Sequence, residues 1–173
     1  MSAKDHTAKN DAPPQSRALT NAATHGSVRR RDLWRYPVPV MRGLIELAKA
    51  RRALPRVRGS DIGDFNARAE AAQQGSLRLS SDAAHAVVDR IAVIIVNAAR
   101  LVPWRSDCLV QAIAAQNWLT AEGLASQIEV GLPPDNGNDF APHAWLICGG
   151  RVVTGGDVRD FNVLLGSSEA QNR

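Results

Sequence analysis

Long apolar runs are missing from this chain. The longest, Ile91 to Val96, is flanked by Asp89, Arg90 and Asn97, far short of the ~20 residues a membrane-spanning helix needs, so no membrane contact is expected. The first thirty residues lack the apolar stretch of a secretory signal. Cysteine is scarce too: Cys108 and Cys148 are the only two. That excludes a disulfide framework and fits a cytoplasmic protein with reduced thiols. There is no zinc-finger spacing and no aromatic RNA-binding motif, and neither a cofactor nor a metal is expected. Aromatic residues make up only 5% of the chain, yet four of them are Trp. Trp104, Trp118 and Trp145 fall in the C-terminal half, where the densest core is expected.

What remains is the composition of one soluble globular domain: 173 residues, 45% hydrophobic and 22% charged. The net charge is +4, with basic runs at Arg29 to Arg31 and over Arg51, Arg52, Arg56 and Arg58. Without a nucleic-acid motif beside them, these runs read as solvated surface or helix ends rather than as a nucleic-acid site.

Residues 1–31 form a basic tail without periodicity, expected to be disordered. A helical segment over 32–79 follows. Tyr36 to Pro39 reads as extended, leading into a helix over Val40–Ala53 with Leu44, Leu47 and Ala48 on one face, ended by Pro55. Asp64 to Gln74 fits a polar helix stopped by Gly75. The core segment, 80–166, opens with the clearest helix, Asp82 to Leu101, capped by Ser80 or Ser81. Its apolar stripe is Val87, Val88, Ile91, Ile94, Ile95 and Ala98. A second long helix spans Cys108 to Glu122, stopped by Gly123. The period then changes: strands over Gln127–Leu132, Ala144–Cys148 and Arg151–Thr154, the last two joined by a Gly149–Gly150 turn, with a fourth over Phe161–Leu165. Residues 167–173 are a C-terminal tail. Helices followed by an antiparallel sheet argue an α+β fold.

Two residues stand out for chemistry. Cys108 falls in the first turn of its helix, after a capping Ser106 or Asp107, where unpaired N–H groups and the positive end of the dipole favour a thiolate nucleophile. His143 stands at the entrance of a strand, where its imidazole can face a helix start packed across the sheet and take the thiol proton. A third group orienting that imidazole must come from the neighbouring strand or the turn after it. Asp157 is preferred, with Asp160 behind it. Trp104 and Trp145 fit either a substrate groove or the core, and core is favoured. Cys148, Gln111 and Gln116 read as structural, His85 as a surface or capping residue, and His6 and His25 have no role.

Val102-Pro103-Trp104-Arg105, Cys108-Leu109, Gln111-Ala112, Gly123-Leu124, Val130-Gly131 and His143-Ala144-Trp145-Leu146 resemble the lasso-peptide leader proteases. These are the B2 proteins of lasso-peptide biosynthesis, within the transglutaminase-like superfamily. The resemblance covers about residues 82–165. It implies a papain/transglutaminase-like cysteine peptidase that cuts the leader from a ribosomally made precursor peptide. A separate asparagine-synthetase-like cyclase then uses the freed amine for ring closure. It further implies Cys108 as nucleophile, His143 as base and an acid about a dozen residues later, where this chain has Gly155; Asp157 is the nearest carboxylate. No glutamine precedes Cys108 as in papain, so one oxyanion donor is unassigned. The first eighty residues carry no strand-rich leader-binding domain, which implies a separate leader-binding B1 protein as partner. An acyl transferase and a non-catalytic peptide- or nucleic-acid-binding adaptor are the alternatives on the same fold.

Overall fold

The computed structural model describes residues 20–21, 37–74, 81–134 and 142–166. The two expected tails therefore lie almost wholly outside the described residues, as do Gly75, Ser80 and most of the 133–139 loop.

Helix α1 runs Pro37–Ala53, three residues earlier than its sequence pattern suggests. Pro37 and Pro39 occupy the first turn, where a backbone N–H would have no helical partner and a fixed φ helps rather than hinders. Gly43 lets α1 approach its neighbours: a Cβ there would stand 2.9 Å from Ile94 Cγ2 and 3.6 Å from Trp118 Cζ3. A 3-10 turn, Leu54–Arg56, absorbs Pro55. Helix α2 spans Asp61–Gln74, also starting earlier than expected, because the Asp61 carboxylate accepts the Arg58 N–H at 2.8 Å and fixes the entry.

Helix α3, Ser81–Ala98, buries the stripe read from the sequence: Val88, Ile91, Ile94, Ile95 and Ala98 are all inside, while Val87 packs at the margin. Residues 99–101 leave the α-helix in a tightened turn, with Leu101 N–H bonded to Ala98 O at 2.9 Å. Helix α4, Cys108–Ala121, buries Val110, Ala112, Ile113, Ala114, Ala115, Gln116, Trp118 and Leu119. A helix apolar on nearly every side has to be central, and α4 packs against α1, α2 and α3 as well as the sheet. Each large apolar side chain so buried contributes about 1.5–3 kcal/mol. Gly123 takes φ +73° at its end, and Leu124 N–H returns to Leu119 O at 2.9 Å, a Schellman-type stop.

The sheet contains β1 (Thr20–Asn21), β2 (Gln127–Leu132), β3 (His143–Cys148), β4 (Arg151–Thr154) and β5 (Asn162–Leu165), in the order β1-β4-β3-β2-β5. The expected strands are all present and pair antiparallel with one another. The one addition is β1, a two-residue strand parallel to β4, drawn from the stretch expected to be disordered. Helices cover one face, where Leu146, Cys148 and Val153 join the main core. On the other face Trp145, Ile147, Val152 and Val158 form a smaller cluster with Phe161 against it. A buried polar clip ties the layers. Asn66 of α2 accepts the Ile128 N–H at 2.8 Å and donates to Ile128 O at 3.0 Å, like a short extra strand. Gln116 of α4 donates to Asn66 Oδ1 and to Ser126 O, so both polar atoms of the Asn66 amide and the Gln116 Nε2 are satisfied. The glutamine expected as a partly buried contact is thus fully buried.

Candidate active site

Cys108 is the first residue of α4 and is half-buried. Asp107 takes the N-cap position with extended backbone but makes no side-chain cap bond. Its carboxylate lies 3.5 Å from Arg105 Nε instead, and Gln111 Nε2 bonds Ser106 O at 2.8 Å. Asp107 is thus the N-cap, one of the two residues expected there, but it caps through its backbone alone. The first N–H groups of α4 keep their positive end without a capping oxygen.

The sulfur faces the entrance of β3: Ala144 N–H donates to Cys108 Sγ at 3.4 Å. That N–H belongs to the peptide joining His143 to Ala144, so the thiol and the histidine, 35 residues apart in sequence, meet at one strand end.

His143 Nε2 lies 2.7 Å from Gly155 O. A carbonyl can only accept, so Nε2 carries the proton and Nδ1 of the neutral ring is the free basic nitrogen. The ring rests against Phe161, centroids 5.4 Å apart, and Trp145, at 6.2 Å, which are themselves 5.8 Å apart, so that the three rings form a triangle. No hydrogen bond joins the imidazole to Sγ. Such contacts commonly tighten only when substrate is bound.

The carboxylate expected to orient His143 does not do so. Asp157 is exposed and grips Arg159, with oxygens 2.9 Å from Nε and 2.6 Å from Nη2. Those hydrogen bonds hold its carboxyl down at about 2. Asp160 is exposed as well, and no hydrogen bond connects it to the imidazole. The position is filled by backbone. Gly155 has φ +107°, and a Cβ there would overlap Trp145 Cβ. Only glycine brings this carbonyl against β3.

Trp145 is 1% exposed, and its Nε1 donates to buried Glu129 at 2.9 Å. It backs His143 and offers no groove surface. Trp104 is half-buried in the turn before Cys108, its indole N–H enclosed without a partner. Sequence reasoning missed Gly155, Phe161 and Glu129. A glycine directly after a strand, twelve residues beyond the histidine, was the one available signal for the first. Nothing local marked the other two.

A family model described as the transglutaminase-like superfamily matches residues 41–166. The chain belongs to the transglutaminase-like superfamily. Its members include cysteine peptidases and acyltransferases, and the α+β order of this chain is that of a transglutaminase-like domain. No curated protein and no solved structure gives a significant match. Among the described residues of this transglutaminase-like domain, no helix is long and apolar enough to cross a membrane, and no group of three or more His, Cys, Asp or Glu is placed to hold a metal.

Proposed function

We propose that the chain is a cysteine peptidase that removes the leader from a ribosomally made lasso-peptide precursor. The core's first α-amine is thereby freed for macrocyclisation by a separate asparagine-synthetase-like cyclase. The observation that carries this reading is the Ala144 N–H bond to Cys108 Sγ, which sets the sulfur beside the histidine's own peptide. Nδ1 of His143 takes the thiol proton, and the thiolate attacks the scissile carbonyl carbon. The resulting oxyanion lies near the uncapped N–H groups at the start of α4. Collapse breaks the C–N bond while the imidazolium protonates the departing core amine. The leader is left as a thioester on Cys108. Water, deprotonated by the same imidazole, releases the leader as a carboxylate. Gly155 O keeps the ring oriented through both halves.

A separate leader-binding B1 protein completes the proposal. The exposed apolar stripe Val38, Met41 and Ile45 on α1 supports a docking role for that helix. A second reading, a non-catalytic peptide-binding adaptor, is favoured by one observation: the imidazole is held by a carbonyl where a carboxylate was expected. Incubating the chain and the leader-binding protein with the precursor encoded beside them separates the readings by mass. The peptidase yields leader and core fragments, and Cys108→Ala and His143→Ala do not. An intact precursor, or cleavage by Cys108→Ala at the unmodified rate, overturns the proposal. An amine adduct with no chain cleavage indicates acyl transfer.

A further inference from the structure

Strand β5 is the edge of the sheet, paired only with β2 among the described residues. Its outer side presents a row of backbone N–H and C=O groups with no strand beside them. Sheet edges in soluble proteins are commonly blunted with Lys, Pro or inward charges. Asn162-Val163-Leu164-Leu165 carries no charge and no proline; its short length of four residues and a register shift opposite Val130–Gly131 are the only devices of this kind it has. Val163, Leu164 and Leu165 are 40%, 46% and 42% exposed, three branched apolar residues in succession on a strand that is only partly covered.

The groups on offer decide what fits. A row of alternating donors and acceptors along an extended backbone is matched by another extended chain. Its position ties it to the candidate site. Gly131 is the register partner of both His143 and Val163, and β5 begins one residue after Phe161, whose ring rests on His143. A peptidase must hold its substrate extended, and this edge is an extended template continuous with the histidine's end of the sheet.

We propose that the leader segment of the peptide substrate docks on the free edge of β5 as an added β-strand, its apolar side chains against Val163 and Leu164. The inference rests on the peptidase reading of Cys108 and His143. The sheet sets its reach. From the Ala144 row the added strand lies three strand spacings away, across β2 and β5, which is ~14 Å. At about 3.3 Å per extended residue, some four or five residues separate the docked segment from the scissile bond.

Hydrogen exchange tests it on the full-length Cys108→Ala variant with the synthetic precursor encoded beside the chain, while cleavage of the same peptide is followed with the unmodified protein, each with the leader-binding protein present. The expected result is slowed exchange at residues 162–165 on adding peptide. A precursor N-methylated at alternate amides five to nine residues before the cleavage point should lose that protection. Leu164→Lys should raise KM about tenfold for the full precursor, the loss expected when one central apolar contact is removed. A peptide keeping only three residues before the scissile bond should feel a smaller penalty. Cleavage without protection overturns the docking proposal and leaves the peptidase reading intact. Protection without cleavage keeps the docking site and removes the peptidase. Neither overturns both. An edge already protected in the free protein, with a dimer by light scattering, assigns it to a second copy and overturns the proposal.

Discussion

Strand β3 has a thiol at each end, and the two are treated in opposite ways. At the entrance, half-buried Cys108 accepts a hydrogen bond from Ala144 N–H. At the exit, buried Cys148 donates one to Ala125 O at 3.2 Å. One sulfur accepts a hydrogen bond and the other donates one, and a thiol donating to a carbonyl among apolar groups is held in its neutral form. Burial accordingly pushes the Cys148 thiol from the free value of 9.0 up to about 11. The difference teaches that burial and hydrogen-bond direction together separate a structural cysteine from a candidate nucleophile. Neither residue's identity does so.

The comparison breaks most visibly in activity. Cys108→Ala should lower precursor cleavage by roughly 10⁴-fold or more, while Cys148→Ala should leave it within a few-fold. Comparable losses in both, measured by fragment yield, would erase the distinction. The next effect in size concerns the carbonyl that holds His143. Gly155→Ala forces a Cβ into Trp145 at a positive φ. It should cost about 2–3 kcal/mol by denaturant melts and reduce cleavage by displacing the ring. Activity and stability both unaffected would mean that the imidazole is oriented by something else.

At the far end the sign of the pH dependence can be worked out. Between pH 9.0 and about 11 the unfolded chain releases the Cys148 proton while the folded chain retains it. Stability therefore falls as pH rises through that window, by roughly 2–3 kcal/mol. Comparing melts of the unmodified protein and Cys148→Ala across it should show the slope removed by the substitution. The smallest effect belongs to Asp157→Asn. Asp157 is exposed and committed to Arg159, so cleavage should change by no more than about twofold, as for other exposed sites away from special contacts. A loss of a hundredfold would return Asp157 to the histidine.

The fold was legible wherever one period dominated a long window. The stripe on α3 from Val88 to Ala98 is such a window, and the short apolar runs Gln127–Leu132, Ala144–Cys148 and Arg151–Thr154 between turn residues are as clear; all emerged within a few residues of expectation. The misses have local causes. Proline in a first turn is compatible with helix, so Pro37 to Pro39, read as extended, belong to α1. Strand β1 is two residues long, too short for any period to declare itself. At the site, Cys108 and His143 were readable because placement at a helix start and a strand entrance follows from nearby residues. The partner of His143 was not, because side-chain chemistry was sought where a backbone carbonyl, admitted by the absence of a side chain at Gly155, takes the bond.

The most direct test of the Cys108–His143 account is to quench a reaction with the precursor at early times and weigh the protein. The account predicts an adduct heavier by the leader less one water, mapped to Cys108 and absent in Cys108→Ala. Precursor cleaved with no adduct at any time and undiminished in Cys108→Ala, or an adduct mapped to Cys148, would contradict it.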